Sequence, residues 1–131
     1  MRQLLYISSK TSGETLHMAA LLGQSRRNNE AVGVTGLLYT DGARFLQVLE
    51  GEPSAIETTF QRIKRDQRHK AVVVLSDKDV AAREFGNWSM AHQQPQEEQD
   101  DFDRRIDKML ATASDNVRGT FSGLIAARRA A

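Results

Sequence analysis

The chain has 131 residues, of which 40% are hydrophobic and 27% charged, with a net charge of +1. That length suits one domain with a real core, and the balanced charge gives no general pull towards nucleic acid or an anionic membrane surface. There is no cysteine, which excludes disulfides, thiolate zinc sites and thiol nucleophiles.

From the N-terminus, MRQLLYISSK shows no signal-peptide apolar region and enters a strand directly, read as Gln3 to Ser8. The turn residues KTSGE follow, and Thr11 to Glu14 fits a capping box for a helix reaching about Gln24, with Met18, Leu21 and Leu22 on its apolar stripe. SRRNNEAVG ends that helix. Val34 to Thr40 is a second strand, Asp41-Gly42 a hairpin turn and Ala43 to Glu50 a third strand, antiparallel to the second. Pro53 suits a first helical turn, and Ile56, Phe60 and Ile63 mark an amphipathic helix to about Asp66. His69 reads as a local cap or turn contact. Ala71 to Ser76 is a fourth strand, and FGNWSMA a fifth.

The order β-α-β-β-α-β, with an added strand, is the ferredoxin-like plan: an α+β fold with a mixed sheet and two helices on one face. After Pro95 the chain turns polar and acidic. Phe102, Ile106, Met109 and Leu110, then Val117, Phe121, Leu124 and Ile125, outline two short amphipathic helices. They cap the bare face of the sheet or, failing that, present a partner or dimer surface. The expected division is residues 1–94 as the main domain and 95–131 as a C-terminal helical extension.

One residue breaks the pattern. Gln47 sits between Phe45 and Leu49 on one face of the third strand. A buried amide needs partners. Either a neighbouring side chain or backbone group satisfies it, or it reads a ligand with polar edges held between the helices. Tyr6, on the central first strand, is within reach if its face is also the helix-covered one. Asn28 and Asn29 either cap a helix C-terminus or pair with an imide-like edge. Arg62 and Asp66 stand four apart, the spacing of a weak surface pair. Trp88 and Met90 share one face of the fifth strand, as core packing or as ligand contacts. His17, His69 and His92 have no metal-ligand spacing. The basic clusters SRRNN and ARRAA lack the interleaved aromatics of a nucleic-acid site.

Taken together and in order, Tyr6 in LLYISS, Asn29 in NNEAVGVTG, Gln47 in FLQVLEG, IKRDQRH from Ile63 to His69, and Trp88 and Met90 in FGNWSM resemble the BLUF domain, a flavin-binding blue-light sensor. The resemblance covers Met1 to Gln94. It implies FAD, or FMN, between the two helices. Gln47 would bond the flavin and Tyr6, with Asn29 at its C4=O and N3–H edge and Asn28 a further cofactor contact. Arg62 and Asp66 would lie near the pyrimidine or ribityl side and Arg26 at the phosphate end, with Val34, Phe45 and Ile63 lining the ring. The photoactive set would be Tyr6, Gln47, Met90 and Trp88, with Met90 the nearer to the glutamine.

The resulting expectation is a photoreceptor that is not itself an enzyme and is cytoplasmic, with no metal, nucleic acid or membrane partner. Its output would pass to a separate protein partner or through a homo-oligomer, dimer or larger. Two other readings of the scaffold stay open: a small acylphosphatase-like hydrolase using Arg26 and Asn29, and a non-catalytic oligomerisation module.

Overall fold

A computed structural model of the chain describes residues 1–10, 27–66, 69–86, 92–93 and 96–130. Strands β1 (Arg2–Lys10), β2 (Thr35–Thr40), β3 (Arg44–Gly51) and β4 (His69–Asp79) form one sheet in the order β2-β3-β1-β4. All three pairings among these described strands are antiparallel. Phe85 and Gly86 occupy a bend and a turn, and the rest of the expected fifth strand, with Trp88 and Met90, lies outside the described residues. So do Arg26 and the expected first helix up to Gln24; residues 27–31 are helical.

That helical segment corrects the reading of Asn28 and Asn29 as its end. It runs to residue 31 and closes on Gly33, whose φ is +70°. Val34 N–H donates to the Asn29 carbonyl at 2.8 Å and Gly33 N–H to the Glu30 carbonyl at 3.3 Å. This paired closure needs a residue that tolerates the left-handed region, which glycine does. The Asn29 main chain therefore serves the helix end, while its side chain is buried.

Helix α1 (Pro53–Arg65) begins on proline at its first turn and ends at Asp66. Ile56 and Phe60, with Ala55 and Ile63, pack on Leu4, Tyr6, Val34, Leu38, Phe45 and Leu49. These are alternate residues along each strand, so they define one face of the sheet. The other face presents Leu5, Leu37, Tyr39, Leu46 and Val48. It is covered by helices α2 (Gln99–Met109) and α3 (Asp115–Ala130), joined by a 3₁₀ turn at Leu110–Thr112. Phe102, Ile106, Leu110, Val117, Phe121, Leu124 and Ile125 all face inward there. The amphipathic C-terminal helices are thus the sheet's second lid.

Strand β4 is longer than its apolar run. The His69 backbone pairs with Lys10 inside it, and Lys78 and Asp79 pair with Gln3 and Arg2. Ladder bonds use only the backbone, so the polar end of the strand continues wherever β1 offers partners.

Candidate functional site

The register β1–β3 sets Tyr6 directly opposite Gln47, and β2–β3 sets Leu38 on Gln47's other side. Directly opposed antiparallel residues share a face at about 5 Å between Cβ atoms. The Tyr6 hydroxyl donates to Gln47 Oε1. Both residues are buried, at 0% and 5% exposure. The Phe60 ring of α1 lies tilted against the phenol, with ring centres 5.5 Å apart. An amide that has accepted from Tyr6 through its oxygen still carries its Nε2 donor group, so it can address an acceptor as well as a phenol.

Burial pushes the Tyr6 phenol well above its ordinary value, and the negative charge of Asp66 adds to the effect. The group is therefore a neutral phenol across the physiological range. Losing its proton is unfavourable unless something first draws an electron from the ring.

Asn29, Val34 and Phe45 are buried, and Ile63 packs on the apolar cluster around Tyr6. Asp66 is half-buried at the end of α1, Asn28 is half-buried, and Arg62 is exposed on the last turn. Tyr6, Val34, Phe45 and Ile63 thus share one apolar cluster on the α1 side of the sheet, and Gln47 has the parity of Phe45. Arg26, Trp88 and Met90 fall outside the described residues.

A second polar group, missed in the sequence, lies on the opposite face. Glu50 is fully buried. Its Oε2 accepts from Gln3 Nε2 at 3.0 Å and from the Glu84 N–H at 2.8 Å, and its Oε1 from the Phe85 N–H at 2.8 Å. Glu84 in turn accepts from Gln3 Nε2 at 3.0 Å and from the Ser114 N–H, just before α3, at 3.1 Å. Arg83 donates to the Gly33 carbonyl at 2.7 Å, the Glu50 carbonyl at 3.0 Å and Thr35 Oγ1 at 2.8 Å. The end of the glutamine strand is therefore tied to residues 83–85, to the helix terminus carrying Asn29 and to the start of α3. The signal was available: Glu50 has the parity of Leu46 and Val48, so a strand reading already points its carboxylate inward.

Residues 1–91 match the family model described as BLUF, sensors of blue-light using FAD. The chain belongs to the BLUF family. Among curated proteins, the β subunit of a photoactivated adenylate cyclase from Euglena gracilis is 33% identical over 94 residues, 69% of this chain and 11% of that protein. The blue light- and temperature-regulated antirepressor BluF of Escherichia coli is 29% identical over 109 residues, 79% of this chain and 27% of that protein. Among solved structures, Klebsiella pneumoniae BlrP1 with FMN and cyclic diGMP aligns with a TM-score of 0.81 at 29% identity, covering 95% of this chain and 34% of that one. The chain thus spans only a small part of these relatives. BLUF domains are sensory modules that use a flavin, and membership selects the photoreceptor among the readings the sequence left open. Among the described residues no helix is long and apolar enough to cross a membrane.

Proposed function

We propose that this chain is a blue-light photoreceptor whose flavin, FAD or FMN, lies on the α1 face and is read by Gln47. The observation carrying this reading is the buried, register-opposed pair in which the Tyr6 hydroxyl donates to the Gln47 amide. The surroundings suit a flat, amphipathic ring with a polar edge: apolar walls from Val34, Phe45 and Ile63 and a buried amide from Asn29. Asn28, Arg62 and Asp66 hold the polar periphery and Arg26 the phosphate end. Trp88 and Met90 belong to the responsive strand, with Met90 beside the glutamine. The sensory unit is residues 1–94, and 95–131 are its output extension.

Bound flavin supplies a blue-light chromophore that becomes a strong oxidant on excitation. Tyr6 is the oxidisable group: it gives up an electron and then its phenolic proton. Gln47 Oε1, already accepting that proton in a hydrogen bond, receives it. When the electron returns to Tyr6 and the phenol recovers a proton through the amide, the Gln47 side chain would be left rotated or as its tautomer, with its donor group redirected. A proton transfer of this kind needs no nucleophilic side chain, in keeping with the absence of cysteine.

The chain performs no catalysis of its own. Its output passes through the fifth strand and the C-terminal helices to a separate cytoplasmic protein or through a homo-oligomer. The test is an absorption spectrum of protein purified in the dark. A flavin spectrum that shifts to the red under blue light and recovers in darkness supports the proposal. So does loss or strong alteration of the shift, with flavin retained, in Gln47→Leu. A protein that binds no added flavin, or a Gln47→Leu variant with an unchanged photocycle, refutes it.

A further inference from the structure

Arg83 directs its charge at the main chain. It lies just beyond the end of β4 and is half-buried. Its Nη2 donates to the Gly33 carbonyl at 2.7 Å, and its Nη1 to the Glu50 carbonyl at 3.0 Å and to Thr35 Oγ1 at 2.8 Å. All three acceptors are neutral, whereas a guanidinium drawn out of water usually meets a carboxylate. The two carbonyls belong to chain ends that the fold brings together. Gly33, with φ +70°, closes the helical segment 27–31, and carbonyls at a helix terminus lack a donor within the helix. Glu50 stands opposite Thr35 near the end of β3. A second contact shows how close this junction is: a Cβ on Gly51, the last residue of β3, would stand 3.3 Å from the same Gly33 carbonyl oxygen.

Asn29 depends on the junction. Its carbonyl accepts from the Val34 N–H at 2.8 Å, immediately after Gly33, and its side chain is buried. Any rotation of the Gly33 turn therefore moves the Asn29 amide against β3, the strand that carries Gln47. We propose that Arg83 is a positioning residue for flavin binding. By clamping the Gly33 turn to the end of β3, it fixes the spacing and angle between the Asn29 and Gln47 amides, which address the polar edge of the ring. The inference rests on the flavin reading above. Hydrogen bonds weaken steeply with misalignment, so a ring held by two amides from separate segments needs those segments locked. The rigid guanidinium fork does this by holding acceptors from both at once; a lysine ammonium on its flexible stem holds them less firmly.

The experiment uses the FAD-loaded full chain in the dark, with far-UV circular dichroism to confirm folding. Dilution releases FAD, whose fluorescence gives the dissociation constant. Arg83→Ala should raise that constant about tenfold, the equivalent of one well-aligned hydrogen bond, and Arg83→Lys should fall between it and the wild type. Amide hydrogen exchange at Val34 should speed up in both variants, because the bond to the Asn29 carbonyl opens more often. In an Asn29→Ala background, Arg83→Ala should change FAD affinity less than about twofold, since the group it positions is gone. A folded Arg83→Ala chain with unchanged FAD affinity, or unchanged Val34 exchange, overturns the proposal. If Arg83→Ala does not fold, an unchanged constant in Arg83→Lys overturns it equally. A full tenfold loss that persists in the Asn29→Ala background shows general loosening and also overturns it. Each of these leaves the photoreceptor standing, provided the wild type binds FAD and shows its light-induced red shift. A wild type that binds no FAD removes both.

Discussion

Replacing Asp103 by alanine tests whether the C-terminal helices are locked to the sheet by a buried carboxylate or only by apolar packing. Asp103 is wholly buried on α2. It accepts from Tyr39 Oη on β2 at 2.9 Å, from Gln99 Nε2 at 3.1 Å, and from Arg128 of α3 through Nε at 3.0 Å and Nη2 at 2.5 Å. One side chain thus joins the sheet and both lid helices. Breaking a buried ion pair costs about 3–5 kcal/mol. The lower end applies here, because Arg128 is partly solvated and keeps Asp100 at 2.8 Å. The expected loss is about 3 kcal/mol, roughly a hundredfold in the folding constant. Urea denaturation followed by far-UV circular dichroism at neutral pH measures it, and a double-mutant cycle with Arg128→Ala isolates the pair. A loss below about 1 kcal/mol, the level of an exposed ion pair, would refute the reasoning. An acid arm checks the sign. Burial by itself would raise the Asp103 carboxyl, but hydrogen bonds from Arg128, Gln99 and Tyr39 outweigh it and hold the group below 3.8. Its contribution is therefore present above the ordinary value and lost as pH falls through the lowered one. The gap between wild type and Asp103→Asn should close in that acid window.

Tyr6→Phe should keep the flavin but abolish the light-induced red shift, because phenylalanine has neither the proton nor the oxidisability of the phenol; difference spectroscopy under blue light decides it. Glu50→Gln places an amide where two backbone N–H groups and Gln3 donate, and should cost about 2 kcal/mol in chemical denaturation. Gly36→Ala should cost about 1–3 kcal/mol or prevent folding, because a Cβ there runs into the Val48 carbonyl oxygen of the neighbouring strand; unchanged thermal stability would refute this. In alkali, burial and the hydrogen bond to Asp103 push Tyr39 up to about 12, and Tyr6 is raised as well. The folded chain therefore holds protons that the unfolded chain releases, so stability is full below pH 10 and falls as pH rises from 10 towards 12. Ultraviolet titration of the phenolate band, with and without urea, measures it.

Local signals were enough to mark many of the elements. Short apolar runs bounded by turn residues located the described strands, Asp41-Gly42 the hairpin, Pro53 the start of α1, and the spacing of Phe102, Ile106, Val117 and Phe121 both C-terminal helices. Family membership was legible for the same reason: a phenol, two amides and their flanking apolar residues keep fixed positions along the chain. What needed the third dimension was partner choice. That Tyr6 faces Gln47 depends on the β1–β3 register, which joins residues far apart in sequence. The roles of Glu50 and Asp103 also needed it, because their donors arrive from four other segments of the chain. The Asn28-Asn29 helix end failed because Gly33 offers a lower-strain termination. Side-chain pattern is a local property, written residue by residue. Burial and hydrogen-bond pairing are properties of distance, and only the packed sheet with its two lids fixes those.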